Sequence, residues 1–150
     1  MLDINKCIWI TGASTGIGKA LALKLASEGF KIAVSARSIK NLKKLKKESK
    51  SLKGLISIYP LNINFREKVV STFNKIEKEL GGVGTVVLNA AINEPANSQN
   101  FSSKKLENIM HVNYIGTTNC LDPVIKKFTK RKNGKIAVVA GYGDVGKGSA

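Results

Sequence analysis

The string Thr11-Gly-Ala-Ser-Thr-Gly-Ile-Gly18 sits between a short apolar run, Cys7-Ile-Trp-Ile10, and a stretch whose Ile17, Ala20, Leu21 and Leu25 fall on one helical face. Few folds accommodate that sequence of events. A strand must turn sharply and become a helix at once, which aims the helix's free N–H groups and positive dipole end back over the strand. That arrangement is a ready-made anion site. Gly12 permits the turn, Gly16 leaves room for a ligand to approach the backbone, and Gly18 lets the helix pack closely. A second glycine string, Gly141-Tyr-Gly-Asp-Val-Gly146, has only Lys147, Gly148, Ser149 and Ala150 after it. Within these 150 residues no helix is expected to complete it and no acidic residue follows about 20 positions later.

Apolar runs alternate with amphipathic stretches along the chain, the pattern of βαβ units and a parallel sheet. Strands are expected at Cys7–Ile10, Lys31–Ala36, Leu55–Leu61, Val83–Leu88 and Lys135–Ala140. The first helix is expected over Gly16–Glu28 with Gly29 as its C-cap, and the second carries lysines behind an N-cap at Ser38. The third begins after Asn64, whose side chain is expected to cap while Glu67 reaches back. It buries Val69, Phe73, Ile76 and Leu80. A polar loop from Asn93 to Ser102 leads to a long fourth helix containing Leu106, Ile109, Met110, Leu121 and Val124, with a kink or break expected at Pro123. At 150 residues the expectation is one domain, residues 1–150.

The formal net charge is +15, from 25 basic and 10 acidic residues. Seven lysines lie between Lys40 and Lys53, interleaved with Ile39, Leu42, Leu45 and Leu52 on roughly one stripe. A solvated helix face accounts for this more simply than nucleic-acid recognition, because no aromatic residues are interleaved for base stacking. No specific nucleic acid and no membrane partner are expected. No apolar run approaches the roughly 18 residues of a bilayer span. With only Cys7 and Cys120 and no CxxC spacing, neither disulfides nor a metal site is expected, and a cytoplasmic setting follows.

The glycine string, together with Asn89-Ala90-Ala91 closing strand four and Asn113 in mid-helix, resembles the short-chain dehydrogenase/reductase family over residues 1 to about 140. The resemblance implies a doubly wound α/β sheet of order 3-2-1-4-5, truncated after strand five. It also implies hydride transfer between a nicotinamide dinucleotide and a small carbonyl or alcohol. Gly12, Ser14, Thr15, Gly16, Ile17 and Gly18 would hold the pyrophosphate. Asn89 would brace the strands, Ala90 would face the ribose, and Ala91 adds a methyl where that family has glycine. Asn62-Ile63 stands where the family has Asp-Val beside the adenine. An acidic residue at the end of strand two would favour NAD, but this chain has Ala36-Arg37-Ser38. A guanidinium suits a 2′-phosphate, so NADP is favoured, with NAD as the alternative and a merely solvated Arg37 as the bland reading. Asn113 matches the family's relay asparagine, a holder of water in a proton relay. Equally, it can be a buried amide satisfying backbone groups. His111 reads as packing or surface.

The chain departs from the family where its chemistry lies. The family places a serine just beyond strand five and then a Tyr-x-x-x-Lys dyad. Here Ala140-Gly141 stands at the serine position, and Tyr142 and Lys147 are five apart with glycines between them, a spacing that does not put them on one helix face. Binding without turnover is expected. The segment from Gly134 to Ala150 is similar to the NAD-binding loop of S-adenosylhomocysteine hydrolase, which raises a chimera or a non-catalytic nucleotide-binding fragment as alternatives. An open edge at the almost wholly apolar strand five would favour self-association.

Overall fold

The computed structural model describes residues 2–94 and 98–139. Five parallel strands form one sheet: β1 (Cys7–Thr11), β2 (Lys31–Ala36), β3 (Leu55–Pro60), β4 (Val83–Leu88) and β5 (Lys135–Val138), in the order β3-β2-β1-β4-β5. Helices α1 (Gly16–Ser27), α2 (Ile39–Glu48) and α3 (Arg66–Glu79) connect the first four strands. The last crossover is one helical rod in three parts: α4 (Ser103–Met110), a π-helical stretch at His111–Gly116 and α5 (Thr117–Arg131).

The alternation of β1 explains why helices cover both faces. Cys7 and Trp9 point into a core shared with Val69, Phe73 and Ile76 of α3 and Cys120, Val124 and Phe128 of α5. Ile8 and Ile10 point the other way, among Ala22 and Leu25 of α1 and Leu42 and Leu45 of α2. A strand buried on both faces reads as a continuous apolar run because it has no solvent side. Trp9 fits because Ala33 lies beside it on β2, Phe73 stacks at 5.7 Å between ring centroids, and its indole N–H donates to Ser35 Oγ at 2.9 Å.

Several local expectations hold to within one residue. Gly29, with φ +96, follows the C-cap Glu28, one position beyond the cap expected of it, and Ser38 caps α2, its hydroxyl accepting from the Asn41 N–H at 3.3 Å. Three do not. Asn64 does not cap α3: Phe65 occupies the cap position without a side-chain bond. The neighbours hold this loop differently, because Asn62 Oδ1 accepts the Asn64 N–H at 3.1 Å and Asn119 Nδ2 donates to the Ile63 carbonyl at 3.0 Å. The Asn64 side chain instead turns inward, where its Oδ1 is buried and accepts no bond among the described residues. Pro123 does not break the rod either. Its missing N–H affects one helical bond, and the burial of Cys120, Val124 and Phe128 around it holds α5 continuous. The irregularity lies upstream, in the π-helical stretch. Finally, β5 ends at Val138 and is exposed at every residue.

Candidate functional site

The strand order reverses between β2-β1 and β4, and the carboxyl ends of those strands open a cleft of about 560 Å³ at that point. Such a crevice is where open α/β sheets bind ligands. Its floor is the glycine turn. Gly12 has φ +67, and a Cβ there would lie 2.6 Å from Ala90 Cα, so only glycine lets β1 and β4 approach this closely. Gly18, likewise, has no room for a Cβ against the Asn89 amide and the Gly12 carbonyl, the latter at 2.7 Å. Gly16 differs: its φ is +56, yet a Cβ there would meet nothing within 4 Å. Its space opens outward.

Two side chains hold the ends of β1 and β4 together. Thr11 Oγ1 accepts from the N–H groups of Asn89 and Ala90 at 3.1 and 3.2 Å. Asn89 Nδ2 donates to the carbonyls of Thr11 and Gly12 at 3.3 and 3.1 Å. Asn89 thus links the ends of β1 and β4.

Above this floor, α1 begins without a cap. Thr15 makes no side-chain capping bond, and no acidic residue lies in the first turn. Among the described residues its orphan N–H groups and positive dipole end therefore have no capping side chain. Arg37 and Ser38 form the β2 side of the rim. Arg37 is exposed and makes no ion pair among the described residues. This donor set suits an anionic, phosphate-bearing group.

Of the residues picked out in the sequence, Gly12, Ser14, Thr15, Arg37, Ser38, Asn62, Ile63, Asn89, Ala90 and Ala91 line this one cleft. Gly16, Ile17 and Gly18 form the first turn of α1 outside its wall, with Ile17 half exposed. Asn113 is not in the wall. Its Oδ1 accepts the Ile92 N–H and its Nδ2 donates to the Ile92 carbonyl, each at 2.8 Å, the geometry of the backbone-satisfying alternative. His111, at the start of the π-helical stretch, is exposed. Tyr142, Lys147 and the second glycine string lie outside the described residues.

Ser35 and Ala36, the latter named above only as the neighbour of Arg37, also line the cleft, as do Leu61, Ile92 and Val112, which were not singled out as site residues. The first two sit at the carboxyl end of β2, a position the expected strand order would have flagged. Ile92 and Val112 are there because the Asn113 clamp holds them, a contact across 21 residues with no local signal.

The profile of the short chain dehydrogenase family matches residues 6–146, and the chain belongs to that family. That match takes in most of the string likened above to a hydrolase loop, so the hydrolase resemblance rests on the sequence alone. A 3-oxoacyl-(acyl-carrier-protein) reductase of Thermotoga maritima is 32% identical over 147 residues, which are 95% of this chain and 60% of that protein. Its counterpart in Staphylococcus epidermidis is 26% identical over 96% of this chain and 61% of its own. The chain thus spans about three fifths of the length of the curated relatives it matches. Among solved structures, an alcohol dehydrogenase from the archaeon Thermococcus sibiricus complexed with 5-hydroxy-NADP superposes with a TM-score of 0.80 at 30% identity, covering 89% of this chain and 57% of that one. An NAD+-bound xylitol dehydrogenase gives 0.87 at 25% identity, covering 94% and 55%. No helix among the described residues is long and apolar enough to cross a membrane.

Proposed function

We propose that these residues bind the dinucleotide of an NADP(H)-dependent short-chain reductase or dehydrogenase acting on a carbonyl/alcohol pair. The observation that carries this reading is the start of α1, without a side-chain cap, at the switch-point cleft, with Arg37 on its rim in no ion pair among the described residues. Gly12, Ser14, Thr15, Gly16, Ile17 and Gly18 would hold the pyrophosphate. Asn62 and Ile63 would flank the adenine, and Asn89, Ala90 and Ala91 the nicotinamide-side ribose. The bound nicotinamide would supply the hydride chemistry.

The choice between the two cofactors rests on charge. Related structures carry an NADP derivative in one case and NAD+ in another. Arg37 presents a guanidinium where a 2′-phosphate would lie, and no carboxylate stands there to accept from a ribose hydroxyl. Titration with NADPH and NADH, followed by nicotinamide fluorescence, tests this with Arg37→Ala alongside. We expect NADPH affinity to fall about tenfold, the value of one good charge-assisted pair, and NADH affinity to stay unchanged. Tight NADH binding that ignores the substitution would overturn the choice.

Binding without turnover is the second reading, for these 150 residues taken alone. These 150 residues, which span about three fifths of the relatives' length, hold no tyrosine followed four positions later by a lysine. A proton-relay role for Asn113 would then have no dyad here to serve. A cytoplasmic setting and self-association belong to the same proposal, as does the chimera alternative, which sequencing the source DNA across codons 125–150 would decide.

A further inference from the structure

The positive charge of this protein is unevenly compensated. On the α3–α5 side three acids are paired, Glu77 with Lys127 and Arg131, Glu79 with Lys75, and Asp122 with Arg66 and Lys126, while Glu67 forms no ion pair among the described residues. On α2 and the turn after it, Lys40, Lys43, Lys44, Lys46, Lys47, Lys50 and Lys53 are all exposed. None of them forms an ion pair among the described residues. The single acid of α2, Glu48, is held by Lys19 at 2.8 Å. Moreover, α2 starts at Ile39, immediately after the rim residues Arg37 and Ser38, so this charged face leads away from the mouth of the cleft.

We infer that the lysines at the far end of α2 and in the turn after it are an electrostatic guide that draws anionic dinucleotides to the cleft without touching them once bound. The inference rests on the binding reading above. Lys47 lies eight residues beyond Ile39, about 12 Å further along the helix axis, out of reach of a ligand seated at the rim. Its field still extends there when salt is low: the screening length is about 30 Å at 0.01 M ionic strength and about 8 Å at physiological strength. Charges of one sign beside a cleft raise the encounter rate and leave the escape rate of the seated ligand alone. Nucleic acid would feel the same field, but the face offers no aromatic platform for bases. The steered charge also differs between the two candidate ligands. A pyrophosphate carries about two negative charges, and a 2′-phosphate adds up to about two more. NADPH should therefore be accelerated more than NADH.

Stopped-flow nicotinamide fluorescence on the full chain tests this. The variants are Lys46→Gln/Lys47→Gln/Lys50→Gln, which removes three charges at the far end of α2 and in the turn after it, and Glu48→Gln, which removes the one acid of α2. At about 0.01 M salt the triple variant should bind NADPH about tenfold more slowly, and NADH should be slowed less. Glu48→Gln should speed both, dissociation rates should match wild type throughout, and at about 1 M salt all association rates should converge. An unchanged low-salt association rate, or a loss confined to dissociation, would overturn the inference and leave the binding reading intact. Failure of the wild-type chain to bind either dinucleotide at any salt would overturn both.

Discussion

Asn113 and Ile92 pair as two strand residues would. The carboxamide gives its oxygen to the Ile92 N–H and its nitrogen to the Ile92 carbonyl, both at 2.8 Å. One side chain thereby ties the π-helical stretch to the loop that follows β4, and this loop carries Ala90, Ala91 and Ile92 along the cleft wall. Asn113→Ala would leave both backbone groups of a partly buried residue without partners. We expect a loss of about 2 kcal/mol in urea unfolding, together with weaker dinucleotide binding as the wall loosens. Asn113→Asp keeps an acceptor for the N–H but sets a second acceptor against the carbonyl. It should be at least as damaging at neutral pH. Full stability in Asn113→Ala would mean that the pairing does not hold the wall.

The glycines of the turn separate folding from binding. Gly12→Ala would drive a methyl into the Ala90 backbone, 2.6 Å away, at a φ of +67. Backbone cannot yield as a side-chain end does, so a loss of about 3 kcal/mol or more is expected in a thermal melt. Gly16→Ala has the same left-handed penalty, about 1–2 kcal/mol, but meets no neighbour within 4 Å. It should fold and should bind dinucleotide poorly, because its new methyl occupies the open space over the start of α1. Undiminished binding by Gly16→Ala would show that the ligand does not approach there.

The fold was legible because its signals are local and mutually consistent. The bounds of β2 and β4 could be taken from the sequence because each apolar run is flanked by turn residues and each strand is covered on both faces, so the apolar run and the strand coincide. The cleft was legible wherever strand ends supplied it. What stayed hidden depends on distant partners. Asn64 reads as a cap until Asn62 and Asn119 are seen holding the loop's polar groups. Pro123 reads as a breaker until its neighbours' burial outweighs one missing bond. The π-helical stretch has no periodic signature at all, since one widened turn displaces the apolar pattern too little to register.

Both cysteines should be chemically silent in the folded chain. Cys7 and Cys120 are fully buried, and loss of water around them pushes each thiol from an ordinary 9.0 up to about 12. A thiol reagent at pH 8 should therefore react only after denaturation. The same shift sets a sign for stability. Below pH 9 folded and unfolded chains both hold the protons, so nothing changes. Above it the unfolded chain ionises first, and stability falls by up to about 1.4 kcal/mol per pH unit for each thiol until the folded groups titrate. Cys120→Ala should lower stability through the lost contacts and should flatten the alkaline slope. An unaltered slope in urea unfolding between pH 9 and 11 would refute the assignment.

The last strand of the sheet bears on how the chain behaves at high concentration. β5 pairs with β4 through Lys135, Ile136, Ala137 and Val138, and it ends the strand order, so its outer row of N–H and C=O groups has no strand beside it among the described residues. Ile136 and Val138 are 37% and 52% exposed. Apolar side chains on an unpaired edge favour the addition of a strand from a second copy, because pairing satisfies the backbone and covers the side chains together. We expect the apparent mass in size-exclusion chromatography to rise with concentration. Val138→Lys should suppress that rise and shift stability by no more than about 0.5 kcal/mol, as an exposed substitution does. Lysine works here because an edge carrying a charge must desolvate it before it can pair. A wild-type chain that stays monomeric at high concentration would show that this edge is not sticky, and association that persists in Val138→Lys would place the contact elsewhere.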